Sequence, residues 1–204
     1  MSLHLPVFKS VGAAVFAFIL VLLAHSWFGD VNLFFWSWVG VFVSVAGMIY
    51  TQLFEYLWHK VFMHVGVKFF ETVKKSHLKH HVIFDGDNFQ SRKPEDLDWV
   101  TTKWYVFPPL LFVHYSIFCL FWPKYGPVFF GGVVLHFVIY EICHWCSHVK
   151  DNGLDSLLVR IPFLGPARLK QIEHHRMHHA EPVINFNFTP PYAGDRFFKT
   201  LVKS

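Results

Sequence analysis

Residues 126–148 read GPVFFGGVVLHFVIYEICHWCSH, and two patterns overlap in them. From Tyr125 to Tyr140 there is no Lys, Arg, Asp or Glu. With Glu141–Cys143 added, the apolar run reaches the ~20 residues that a helix needs to cross a bilayer. His144 and His148 follow directly, an i, i+4 pair that a helix puts on one face. That spacing serves metals in helical zinc and di-iron motifs. The same succession stands upstream: a charge-free run between Asp30 and Glu55, then His59 and His64.

Two further charge-free gaps separate Lys9 from Asp30 and Lys103 from Lys124. The expected fold is therefore all-α, with four membrane spans at about 10–28, 33–54, 104–122 and 126–143. They pair as two hairpins, turning at Gly29-Asp30 and at Pro123-Lys124-Tyr125-Gly126. Pro108-Pro109 falls early in the third span, where proline is tolerated. The first span is longer than a secretory h-region, and Ala24-His25-Ser26 makes a poor cleavage site. Composition agrees: 53% of the 204 residues are hydrophobic and 16% charged, against about 25% charged in soluble domains. So apolar a chain is not disordered, and three Cys do not make a disulfide scaffold.

Four crossings put the N-terminus, the middle loop (58–103) and the C-terminal region (144–204) on one face. All Lys and Arg except Lys124 then share that face, which the positive-inside rule makes cytosolic. The formal charge of +4 thus holds topology and meets anionic headgroups. It does not form the soluble basic face that nucleic-acid binding needs. The whole chain, 1–204, is expected to be one membrane domain with a cytosolic helical cap.

Eleven of the 15 His fall in those two cytosolic segments. His77-Leu78-Lys79-His80-His81 and His175-Arg176-Met177-His178-His179 are both H-x-x-H-H. Positions i, i+3 and i+4 lie on one helical side, so the three imidazoles of a triplet are expected to converge. His59 and His64, five apart, point about 140° away from each other on a straight helix. Either that helix distorts, or the two serve different ions. A lone His is more often a packed residue than a ligand, and His25, His114 and His136 read that way. His174 adjoins a triplet but points to another side. Ten ligands exceed the needs of one ion, since a catalytic zinc takes about three from the protein. The expectation is two metal ions held by His59, His64, His77, His80, His81, His144, His148, His175, His178 and His179. Imidazole suits iron, zinc, copper and nickel alike. The setting beside acyl chains, with no Ser or Cys nucleophile motif, favours iron, with zinc as the alternative ion.

Glu55 and Glu141 end spans shortly before His59 and His144. Carboxylates so placed are expected to orient ligand imidazoles by hydrogen bonding, with interfacial solvation as the other reading. Asp85 is a weaker candidate of the same kind, and His174 is kept with it. Cys143 and Cys146 read as reduced packing thiols. Leu154, Leu157, Leu158 and Ile161 recur at helical spacing, either docking on the membrane surface or packing over the metal domain.

Together these motifs resemble the fatty acid hydroxylase superfamily of integral-membrane di-iron enzymes, which also includes sterol C5-desaturases, C4-methylsterol oxidases and alkylglycerol monooxygenases. The H-x4-H, H-x2-H-H, H-x3-H and H-x2-H-H pattern is matched in order from about Glu55 to Thr200. Glu55–His64 resembles the E-x-x-x-H-R-x-x-x-H start of the fatty acid hydroxylases, and His80–Gly86 their H-H-x-x-F-D-G stretch. Asn185-Phe186-Asn187-Phe188 and Asp195–Thr200 are closer to the sterol desaturase ending, which adds Asn187 to the candidate site residues. The resemblance implies two iron ions, dioxygen and two electrons from a separate donor such as cytochrome b5 or a ferredoxin/reductase. The dimetal centre itself would do the chemistry, without a protein nucleophile. It implies hydroxylation of a lipid C–H bond, first on a fatty acyl chain, with sterol desaturation or C4-methylsterol oxidation as the alternative. The location implied is the endoplasmic reticulum membrane in a eukaryote or the inner membrane in a bacterium, with cytosolic termini. A metal transporter or a zinc hydrolase is more remote, because the ligand clusters lie outside the spans and outnumber what hydrolysis needs.

Overall fold

A computed structural model of the chain describes residues 5–28 and 37–202. The turn expected at Gly29-Asp30, the first residues of the span expected from 33, and residues 203–204 lie outside them. Among the described residues there is no β-strand, only an isolated bridge between Ser91 and Val149. The helices are α1 (Leu5–Phe28), α2 (Trp38–Leu57), α3 (Glu71–Ile83), α4 (Pro94–Leu97), α5 (Phe107–Phe121), α6 (Gly126–His148), α7 (Gly153–Leu158), α8 (Leu164–Ala180) and α9 (Ala193–Phe198). A π-helix, Trp58–Val65, continues α2 without a break.

Among the described residues three helices are long and apolar enough to cross a membrane: Leu5–Trp27, Trp38–Val65 and Pro123–His148. Within the expected third span, 104–122, lies a shorter apolar helix, the 15-residue α5. At 1.5 Å per residue it is about 22 Å long, less than the ~30 Å hydrocarbon thickness. Its ends are set by proline: Pro108 and Pro109 fill its first turn, and Pro123 follows Trp122 at its C-terminus.

The chain divides into two compact units. One comprises His4–Thr51 and Thr102–Glu141. Its core is Ala17, Val21, Leu111, Phe130, Val133 and Val134. Glycines let α2 and α6 touch backbone to backbone: a Cβ on Gly47 would lie 2.1 Å from the Phe129 carbonyl oxygen, and one on Gly132 2.0 Å from that of Ser44. Small residues at such crossings give membrane helices the van der Waals contact that lipid-like side chains do not. Phe16, Leu23, Trp27, Trp38, Phe42 and Leu120 of this unit are exposed, as a lipid-facing surface requires. His25 pairs with the Tyr115 hydroxyl at 2.6 Å, His114 meets Tyr50 edge-on, and His136 is buried.

The other unit joins Gln52–Thr101 to Ile142–Ser204. It holds the ends of α2 and α6, helices α3, α4, α7, α8 and α9, and all ten candidate ligands. Arg168 ties three of its helices together. From α8 its guanidinium donates to the Asp155 carboxylate on α7 (2.7 and 3.0 Å) and to the Cys143 carbonyl (2.9 Å) and Ser147 hydroxyl (3.1 Å) on α6.

Candidate metal centre

The π-helix decides how the first pair is placed. Its i→i+5 bonding, closed where the Gly66 N–H donates to the Val61 carbonyl at 2.7 Å, carries residues five apart onto about the same face. His59 and His64 therefore come together, with ring centroids 5.0 Å apart. Of the two outcomes left open by their spacing, the helix distorts.

Two groups of imidazoles result. His59, His64, His77, His81 and His178 form one, and His80, His148, His175 and His179 the other. Within each group the nearest ring nitrogens all lie within 4.8 Å of one another. Each triplet is divided: His77 and His81 join the first group while His80 joins the second, and His175 and His179 join the second while His178 joins the first. At 100° per residue, i and i+4 diverge by about 40° but i+3 and i+4 by about 100°, so the middle ligand turns to the neighbouring site. The groups adjoin where His81 and His179 stack at 4.3 Å.

His77 Nε2 has Nε2 atoms of His59, His64 and His81 at 2.9, 3.1 and 3.0 Å. One imidazole nitrogen carries one proton or one lone pair, so hydrogen bonds do not account for three such approaches. In the second group His148 and His175 approach at 3.0 Å, and His179 lies 3.2 Å from both His80 and His175. Two nitrogens each about 2.1 Å from one ion stand about 3.0 Å apart at a right angle and about 3.4 Å apart in a tetrahedron. The spacings thus fit an ion at each centre, with ligands at right angles.

Backbone carbonyls hold the rings in place. Nδ1 of His59 lies 2.5 Å from the Phe186 carbonyl oxygen, that of His148 2.8 Å from Phe89, and that of His178 2.7 Å from Ile184. A carbonyl only accepts, so Nδ1 carries the proton and Nε2 presents its lone pair to the centre. Burial, then neighbouring histidines, keeps His77, His80 and His175 well below the ordinary imidazole pKa. Burial likewise lowers His81 to about 2 and His178 to about 3. Neutral rings are the form a metal binds. Phe84, Phe186 and Phe188, all buried, pack against His148, His59 and His175 and exclude water.

The remaining candidates are placed differently. His144 belongs to neither group, although its ring centroid is 4.7 Å from that of His175. Glu55 and Glu141 accept from backbone N–H groups. The Phe188 N–H donates to Glu55 at 2.5 Å, and the Thr102 N–H to Glu141 at 3.0 Å. Glu141 thereby caps the irregular chain before α5. Asp85 is exposed after α3. His174 faces away from both groups, its Nε2 2.9 Å from the Asn187 carbonyl oxygen and its ring stacked on Tyr192 at 4.0 Å. Asn187 fastens the tail to α2, its side chain donating to the Gln52 carbonyl at 2.7 Å.

Asp195, fully buried, organises that tail. It accepts from the N–H groups of Phe186 and Asn187 and from the Thr200 hydroxyl at 2.7–2.8 Å. The carbonyl that orients His59 is thus fixed by a carboxylate nine residues later. Sequence reasoning marked Asp195–Thr200 as part of a motif but gave Asp195 no role.

The fatty acid hydroxylase family model matches residues 44–200. The chain belongs to the fatty acid hydroxylase family. The match covers both histidine groups and the Asp195-anchored tail of this hydroxylase-family chain. Nothing among the curated proteins or the solved structures matches it.

Proposed function

We propose that this chain is a dioxygen-dependent, two-iron membrane oxygenase that hydroxylates a C–H bond of a fatty acyl lipid. The observation that carries the reading is the pair of adjoining all-imidazole groups, the four-membered one fully buried, in a fatty acid hydroxylase family member with long apolar helices. His59, His64, His77, His81 and His178 would hold one ion, and His80, His148, His175 and His179 the other. When bound and reduced by two electrons from a separate donor such as cytochrome b5 or a ferredoxin/reductase, the irons supply the activation of dioxygen.

The protein's own contribution is positional. The carbonyls of Phe186, Phe89 and Ile184 keep their imidazoles in the Nε2-ligating tautomer. Phe84, Phe186 and Phe188 keep bulk water from the reacting centre. No side chain is needed as nucleophile, and none stands among the ligands. With α5 as a short fourth crossing, the distribution of Lys and Arg supports a cytosolic histidine unit and cytosolic termini.

The test is metal analysis of the purified chain, with oxygen uptake in the presence of an acyl lipid, a reductase and its electron donor. Two irons per chain with substrate-dependent uptake and a product 16 mass units heavier is the expected result. Two zincs in cells with no uptake overturns the oxygenase reading, and a product 2 mass units lighter makes the enzyme a desaturase.

A further inference from the structure

The α7–α8 connection presents apolar side chains that the metal centre does not use. Leu154, Leu157 and Ile161 lie on one side of α7 and of the turn that prolongs it, where the N–H groups of Val159, Arg160 and Ile161 still donate backward in helical fashion. All three are exposed, Leu157 at 59%. Phe163 follows at 90% exposure, then exposed Leu164. An apolar row on one helical side, with nothing of the chain over it, is the pattern of an interfacial segment.

The presentation of Phe163 is built. Its backbone sits at φ 68°, and the Leu164 N–H donates to the Pro162 carbonyl at 2.9 Å. The result is a γ-turn of the rare, strained kind. Behind it the Gly165 N–H donates to the Ile161 carbonyl, and a Cβ on Gly165 would lie 2.3 Å from the Val159 carbonyl oxygen. The turn is therefore closed at both ends and holds an aromatic ring outward.

Charge names the occupant. Between Gly153 and Lys170 the one carboxylate is Asp155, and it is turned inward onto Arg168 at 2.7 Å. The exposed charges of this stretch, Arg160 and Lys170, are both basic. An apolar row with cations in its own stretch fits the interface of an anionic bilayer; the exposed carboxylates nearest in sequence, Asp151, paired with Arg92, and Glu173, flank the stretch. The long apolar helices of the same chain keep such a bilayer at hand. We infer that the Leu154–Leu164 segment docks on the anionic lipid surface, with Phe163 and Leu157 in the headgroup–acyl boundary.

The experiment uses the full chain in phosphatidylcholine vesicles with and without phosphatidylserine. A photoreactive p-benzoylphenylalanine replaces Phe163 in one variant and exposed Glu181 in a second. A third carries it at Leu157, so that the result does not hang on one substitution. After irradiation, adducts are mapped by mass spectrometry. Phospholipid adducts at positions 163 and 157, about fivefold or more above position 181, are expected. The yield should fall when phosphatidylserine is omitted or when Arg160→Glu and Lys170→Glu are introduced. Equal yields at 163 and 181, a covalent dimer in place of the lipid adduct, or no adduct at 163 and 157 overturns the inference. The readout needs no turnover, so it stands or falls apart from the oxygenase reading.

Discussion

Helices α3 and α8 carry the same five-residue motif and divide it in opposite ways. The outer histidines of α3, His77 and His81, go to the five-membered group and its inner His80 to the four-membered one. The outer histidines of α8, His175 and His179, go to the four-membered group and its inner His178 to the five-membered one. Each helix thus grips both centres, and neither centre forms without both helices. The inequality of the groups comes from elsewhere. The π-helix delivers both its histidines to one group, whereas α6 delivers His148 and holds the buried His144 ring 4.7 Å from that of His175.

The largest effects should come from breaking the exchange itself. His77→Ala and His80→Ala sit one turn apart on α3 but address different ions. Each should lower the bound metal from two to about one per chain, measured by elemental analysis, with turnover falling at least about 10²-fold. Identical spectroscopic signatures of the remaining ion in the two variants would show that the triplet is not divided. His178→Ala should match His77→Ala, since both belong to the five-membered group.

Asp195→Ala comes next. It frees the N–H groups of Phe186 and Asn187 and so the carbonyl that orients His59. Metal affinity of the five-membered group should drop about 10–100-fold, read by competition with a chelator. Equal loss at both ions would mean that Asp195 supports the fold rather than one centre. Arg168→Ala should act on the opposite group, because the guanidinium braces α6 and α8, which carry His148 and His175. Its loss should cost about 1.5–3 kcal/mol per charged hydrogen bond removed, seen as a lower melting temperature with the four-membered group weakened first. His144→Ala should be the mildest, changing metal affinity by less than about tenfold where His148→Ala abolishes one site. A loss at His144 equal to that at His148 would make the groups equal, five and five.

Much of this was legible in the sequence, for physical reasons. Charge is expensive in hydrocarbon, so its absence over 10–28 and 125–140 marks two of the long helices. The limits of α5 were harder to read, because Trp104, Tyr105 and Trp122 suit a span by hydropathy while Pro109 and Pro123 shorten the helix. The imidazole spacing marked the residues that converge, because a helix fixes which positions share a side. It did not reveal the division of each triplet, which depends on where the neighbouring helix stands. His59 and His64 left two outcomes open because a 3.6-residue period says nothing of a π-turn. The groups that orient the rings were invisible for a different reason: every residue has a carbonyl, and nothing in Phe89, Ile184 or Phe186 as side chains announces that role. Asp195, between Gly194 and Arg196, looks like a surface residue until the tail folds over it.

That tail has a consequence for how the centre comes into being. A chain emerges from the ribosome in order, and all ten imidazoles precede Ile184, Phe186 and Asp195. Every ligand is therefore synthesised before the carbonyls that set the tautomers of His59 and His178, and before the carboxylate that locks the Phe186 carbonyl. The five-membered group is finished last, when the final turn of backbone closes on it. A chain that stalls short of Asp195 carries His59 without the carboxylate that fixes the Phe186 carbonyl.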